Sequence, residues 1–234
     1  MMTIQIITGF MGAGKTTFLN HYLPILDGRM ALIENEPGEE KLNIPNNKEI
    51  TIYPMAEGCI CCSLAIEFQK VLQEIKKDCH PDLILIKPSG ISKLSDIVRI
   101  CSHTEEKLGT EIQICGRATV VDLSSFDDYM DGFGAFYQDQ IENASIILCS
   151  HIEEVGEEIR EEIFHKIQKM NPEAVLYLND WRSMKKEEWE ELCHQMKNRL
   201  EEEKEEKWIF GTIFTDKKKM QKSGKKITLQ NVKK

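Results

Sequence analysis

Gly9-Phe10-Met11-Gly12-Ala13-Gly14-Lys15-Thr16 sets glycines, a lysine and a hydroxyl in the spacing G-x-x-x-x-G-K-[ST]. That combination suits phosphate chemistry. The glycines let successive backbone N–H groups converge on phosphate oxygens at a helix N-terminus, Lys15 offers a positive charge to the β- and γ-phosphates, and the Thr16 hydroxyl can hold Mg²⁺. A second cluster, Cys59-Ile60-Cys61-Cys62, packs three thiols into four residues behind Gly58. As thiolates they are soft ligands for Zn²⁺ or another thiophilic transition metal. A tetrahedral site needs a fourth donor, for which Glu34, Glu39, a water or a second subunit are the candidates, and buried packing is the alternative reading of the cluster. Cys79, Cys101, Cys115, Cys149 and Cys193 are scattered through apolar or helical settings and read as structural.

The elements that must position these residues are legible around them. Thr3-Ile4-Gln5-Ile6-Ile7-Thr8 is an apolar, β-branched strand leading into the glycine loop, and a helix opens at Thr17-Phe18-Leu19. Further strands are expected at 30–35, 50–55, 83–86, 118–121, 145–149 and 175–178, with a helix from Ser63 to about Lys77. Strands alternating with helical stretches call for right-handed crossovers: an α/β protein, mainly parallel, with helices on both faces of the sheet in three layers. Loops at the strands' carboxyl ends then carry the function. Residues 185–207 are highly charged with Trp189, Leu192, Met196 and Leu200 on one face, which reads as a packed amphipathic helix, and 208–214 as a final strand. The expected organisation is one nucleotide-binding domain over 1–214 and a lysine-rich tail over 215–234.

Composition narrows the function classes. The formal net charge is −9 for 234 residues, and 41% apolar content suits one sizeable core. The tail carries eight lysines against one aspartate, so the first 214 residues stand near −16, which argues against a nucleic-acid partner. Apolar runs are strand-sized, and no signal-like segment precedes the glycine loop, so a cytoplasmic protein without a membrane span is expected. In a reducing compartment eight cysteines are not a disulfide framework.

Taken together, G-F-M-G-A-G-K-T-T, the strand end I-E-N-E-P-G-E, G-C-I-C-C, the strand followed by P-S-G, and N-P-E-A resemble the CobW-type metal-handling GTPases, relatives of the urease and hydrogenase nickel-insertion GTPases. The resemblance covers about residues 3–180. It implies a P-loop GTPase domain that binds GTP (or ATP) with Mg²⁺, metal delivery to a client metalloprotein or metallocofactor enzyme, and a homodimer or a heterodimer with another G-domain protein. Gly9 and Gly12 to Thr17 map to the phosphate loop, Cys59, Cys61 and Cys62 to the metal motif, Glu34 and Glu39 to the acidic pair near metal and switch, and Ser89-Gly90 to the second switch.

Three departures bear on function. Where the family usually places a Mg²⁺-ordering glutamate, this chain has Lys87, a cation that opposes the ion and is expected to slow hydrolysis, unless it pairs with Glu34, Glu36 or a phosphate. The base-recognition motif, normally N/T-K-x-D, reads Ser150-His151-Ile152-Glu153, which keeps a carboxylate one methylene further out and suggests relaxed guanine selectivity. The separate C-terminal domain common in the family is expected to be missing. The leading expectation is a GTP-dependent metallochaperone or metallocofactor-insertion factor with slow hydrolysis. A non-hydrolysing nucleotide-binding partner subunit is the alternative, and a small P-loop kinase ranks last because no arginine-rich lid is evident.

Overall fold

A computed structural model describes residues 1–35, 40–55, 65–178 and 180–197 of the chain. The apolar runs form seven strands: β1 (Met2–Gly9), β2 (Met30–Glu34), β3 (Ile50–Pro54), β4 (Leu83–Lys87), β5 (Ile112–Asp122), β6 (Ile146–Ser150) and β7 (Val175–Tyr177). They pair in the order β3-β2-β4-β1-β5-β6-β7, every described pairing parallel. Parallel pairing requires crossovers, and these are α1 (Lys15–Tyr22), α2 (Ala65–Asp78), α3 (Leu94–Leu108), α4 (Phe126–Glu142) and α5 (Glu157–Met170). A sixth helix, α6, covers residues 186–197.

Burial on both faces explains why the strands read as continuous apolar runs instead of alternating ones. On one side Phe68, Leu72 and Ile75 of α2, Ile97 and Cys101 of α3, Tyr137 and Ile141 of α4, and Ile163 and Ile167 of α5 share a core with Ile4, Ile6, Ile84 and Ile86. On the other, Phe18 and Tyr22 of α1 pack against Trp189 of α6, and Tyr22 donates to the buried Gln5 at 3.0 Å. Trp189, Leu192 and Met196 are buried, as the helical spacing predicts. Gly116 makes room for α6: a Cβ there would lie 2.8 Å from the Met196 sulfur.

Strand β5 extends well beyond the expected 118–121, because a register shift between Ile4 and Gln5 on β1 absorbs one extra residue and keeps Ile112 to Ile114 in the sheet. The expected helix end beyond 197, the strand at 208–214 and the tail at 215–234 lie outside the described residues.

Candidate phosphate, switch and base site

The glycine loop is held by what surrounds it. Gly9 ends β1 at φ 145°, where a Cβ would stand 2.5 Å from the Val120 carbonyl oxygen, and Gly12 and Gly14 adopt φ of 77° and 96°. These left-handed turns suit glycine and leave a cradle that side chains would fill. Phe10 anchors the loop beneath the rings of Tyr129, Phe133 and Tyr137. Gly14 is the N-cap of α1 and offers no side-chain cap, so the first N–H groups of the helix are available to an anion. Lys15 Nζ donates to the carbonyls of Gly9 at 2.8 Å and Phe10 at 2.9 Å, folding its charge over the loop, and Thr16 is buried beside it. Backbone geometry, charge and hydroxyl therefore fit a polyphosphate with its Mg²⁺.

Next to the loop, the carboxyl ends of three strands are laced together. Glu34 and Lys87 are register partners on β2 and β4, and Lys87 Nζ lies 3.0 Å from Glu34 Oε1. Lys87 is only 2% exposed. Of the partners open to Lys87 in the sequence, Glu34 is met, because neighbouring parallel strands put in-register side chains about 5 Å apart, while Glu36 lies outside the described residues. Asn35 N–H donates to the Lys87 carbonyl at 3.1 Å, and Met55 N–H to the Glu34 carbonyl at 2.8 Å. The chain thus leaves β3 toward the cysteine motif from a point fixed to Glu34. Cys59, Cys61, Cys62 and Glu39 lie outside the described residues; among the described ones no group of three or more His, Cys, Asp or Glu is placed to hold a metal ion.

The Ser89-Gly90 turn is pressed against the glycine loop, since a Cβ on Gly90 would come within 2.6 Å of the Met11 nitrogen. Its shape is set from α4: the buried Gln140 amide donates to the carbonyls of Gly90 at 2.9 Å and Ser92 at 2.8 Å, while the Ser89 and Ser92 hydroxyls lie 3.1 Å apart. On the other flank, Glu40 accepts from Thr17 and, at 2.9 Å, from Asn20, tying the loop after β2 to the first turns of α1. Gln140 and Glu40 were not singled out in the sequence. Gln140 carries no motif, and the resemblance pointed to Glu34 and Glu39 and not to Glu40.

At the far end of the site, Ser150 closes β6 and its hydroxyl donates to the Ala13 carbonyl at 2.8 Å, joining the base motif to the phosphate loop. His151 sits in the left-handed region at φ 54°, with Nδ1 2.8 Å from Glu154 Oε1. That contact raises its pKa above the usual imidazole value. Glu153 lies on the 3₁₀ turn Ile152–Glu154 and meets Arg182 from a second 3₁₀ turn, Trp181–Ser183. The guanidinium holds the Glu153 carboxyl below its ordinary range. Trp181 is buried beside Gly14 and packs on Phe18.

Three of the scattered cysteines, Cys101, Cys115 and Cys149, are buried in the core. Burial pushes the Cys101 and Cys149 thiols up to about 12 and Cys115 to about 11, which keeps them protonated and poor as ligands. All five described cysteines are free of disulfides.

A parallel sheet with this glycine cradle at the carboxyl end of β1, opening straight into α1, defines a P-loop nucleotide-binding protein. Residues 3–177 match the model of the CobW/HypB/UreG nucleotide-binding domain, and the chain belongs to that family. It is 30% identical over 185 residues to the zinc chaperone YjiA of Escherichia coli, covering 75% of this chain and 57% of the relative. To the zinc-regulated GTPase metalloprotein activator 1 of Dictyostelium discoideum it is 27% identical over 213 residues, covering 75% of this chain and 45% of that protein. The chain therefore spans about half the length of these curated relatives. The crystal structure of the Zn(II)-bound YjiA GTPase from E. coli superposes with a TM-score of 0.59 at 23% identity, over 80% of this chain and 60% of that one.

Proposed function

We propose that the protein is a GTP-dependent metallochaperone or metallocofactor-insertion factor that carries Zn²⁺, or a similar transition metal, as cargo to a client metalloprotein. The observation that carries this reading is the lacing of the switch strands: Glu34, Met55 and Lys87 are joined at the edge that borders the phosphate loop. A ligand that moves the Ser89-Gly90 turn or the loop after β2 therefore acts on the same strand ends from which the chain departs toward Cys59, Cys61 and Cys62. In the proposed mechanism the glycine-loop N–H groups and Lys15 bind the phosphates, Thr16 supplies a ligand for Mg²⁺, and the three thiolates hold the metal with Glu34 or Glu39 as a further donor. If Glu34 ligates through Oε1, it exchanges Lys87 for the metal, which gives the ion pair a gating role. The names of the zinc-handling relatives support zinc as the cargo.

Hydrolysis is expected to be slow, because an ammonium group occupies the strand end where the related GTPases carry a Mg²⁺-ordering carboxylate. The same observation favours a second reading, a non-hydrolysing nucleotide-binding subunit acting beside another G-domain protein. A dimer, whether of two copies or with such a partner, and a domain extending to residue 214 ahead of the lysine tail complete the proposal.

Titrating the full chain with Zn²⁺, Co²⁺ and Ni²⁺ while following phosphate release from GTP and ATP tests both readings. Thiolate-to-Co²⁺ charge-transfer absorption and measurable GTP turnover are expected. Tight nucleotide binding with no turnover at all would favour the partner subunit, and loss of the charge-transfer band would remove the metal role.

A further inference from the structure

On the described base side of the site, Asp180–Arg182–Glu153 is an ion-pair network that the phosphate chemistry does not use. Asp180 Oδ1 accepts from the Arg182 backbone N–H at 2.9 Å and from its Nε at 2.9 Å, so the arginine is gripped at both ends of its own turn. Arg182 Nη2 then reaches Glu153 Oε1 at 2.5 Å, across 29 residues of sequence. The turn itself is pinned by Trp181, which is 2% exposed and wedged between Phe18 and the phosphate loop. Glu153, Arg182 and Asp180 are 55%, 40% and 37% exposed at their side chains, and solvent-exposed ion pairs add little to stability. The network is better explained by what it orients. It fixes a carboxylate beside the loop that Ser150 ties to Ala13, on the carboxyl side of β6, where a nucleotide held by its phosphates in the glycine loop extends its base.

Guanine presents two adjacent donors, N1–H and the 2-amino group, which an ionised carboxylate accepts as a pair; adenine presents an acceptor at N1 and is repelled. A glutamate reaches further than an aspartate and has one more rotatable bond, so its two oxygens are less well placed unless something restrains them. We propose that Arg182 is a positioning residue for base recognition: anchored by Asp180, it holds the Glu153 carboxylate in place to accept the two donor protons of guanine, so this chain keeps guanine selectivity despite the altered motif. Arg182 reaches this carboxylate at Oε1, and the residue's own backbone N–H bonds it as well, so the group is restrained from two directions. The selectivity expected to relax with the longer acid is thus restored by a residue from the loop after β7. The inference rests on the nucleotide-binding reading above.

The test uses the full chain and four diphosphates, those of guanosine, inosine, xanthosine and adenosine, with affinities measured for the native protein, Arg182→Ala, Arg182→Lys and Glu153→Gln. The native protein should favour GDP over ADP, with inosine diphosphate between them because it lacks the 2-amino group. Arg182→Ala should weaken GDP by roughly tenfold, the scale of one hydrogen bond to a charged acceptor, while ADP is unchanged. Arg182→Lys should recover part of the preference. Glu153→Gln, which replaces an acceptor oxygen by a donor, should shift preference from guanosine to xanthosine diphosphate, whose 2-position is a carbonyl. An unchanged GDP-to-ADP ratio in Arg182→Ala, or equal losses of both, would overturn the proposal and leave Arg182 a scaffold residue. Equal native affinity for GDP and ADP would overturn it while leaving phosphate binding intact. Failure of the native protein to bind any of the four would overturn the nucleotide reading itself, and this inference with it.

Discussion

The centre and the flanks of the carboxyl edge of this sheet are made of different material. At the phosphate loop the working groups are backbone N–H groups, fixed by glycine turns and by the start of α1, and only Lys15 and Thr16 contribute side chains. At the strand ends to either side the arrangement rests on side-chain pairs, Lys87 with Glu34 on one flank and Glu153 with Arg182 on the other. The backbone cradle depends on positive φ at Gly9, Gly12 and Gly14, which other residues adopt only under strain. The flanking side chains depend instead on their partners, and Lys87 and Glu153 each have one.

Lys87→Glu breaks this comparison hardest. It sets two carboxylates against each other at a nearly buried position, and loss of one member of a buried pair costs about 3–5 kcal/mol. Thermal unfolding of the nucleotide-free protein should fall by ten degrees or so. If the carboxylate then orders Mg²⁺, adding Mg²⁺ and GTP should recover much of that loss and raise turnover above native; an unchanged melting temperature without ligand would show that the ion pair holds nothing. Lys15→Ala tests the phosphate loop. The fold should persist, since this half-buried lysine bonds to carbonyls of the loop itself, while GTP and ATP affinity drop on the order of a hundredfold, as expected for loss of a charged phosphate contact. Calorimetric affinities equal to native would remove the phosphate-loop assignment.

A smaller effect is expected at the thiols. Cys61→Ser and Cys62→Ser should each weaken Zn²⁺ by about tenfold or more, because a hydroxyl is a poor soft-metal ligand, whereas Cys193→Ser should not. Competition with a chromophoric chelator separates them, and equal affinities would return the cluster to packing. The smallest is the His151–Glu154 contact. The folded-state pKa of His151 is raised by its bond to Glu154, so its stabilisation is complete below the unfolded value of about 6.5 and is lost as pH rises through the folded one. With the ring about a third exposed, the effect is only a few tenths of a kcal/mol. Stability measured from pH 5.5 to 8 should show a slightly steeper decline for the native protein than for Glu154→Gln.

The fold was legible because its signals are local. Seven apolar runs became seven strands, and the glycine spacing placed the loop and α1 without knowledge of anything distant. What the sequence could not show were partnerships across the sheet. That Lys87 meets Glu34 follows from the β2–β4 register, and nothing near Ser89 or Glu153 pointed to Gln140 or Arg182, which lie 50 residues from Gly90 and 29 from Glu153. Glu40 meets Thr17 and Asn20 of α1, a contact set by loop geometry, while its neighbour Glu39 lies outside the described residues. The cysteine motif was legible as chemistry alone, since its residues lie outside those described.

The central claim, that nucleotide occupancy is felt at the metal motif through the laced ends of β2, β3 and β4, is tested most directly by Zn²⁺ affinity. It should be measured on the full chain with no nucleotide, with GDP and with a non-hydrolysable GTP analogue, in native protein and in Lys15→Ala. The expected result is a severalfold difference in Zn²⁺ affinity between the nucleotide states of the native protein that disappears in Lys15→Ala. Identical Zn²⁺ affinity in all three native states, with nucleotide shown to be bound, would contradict it.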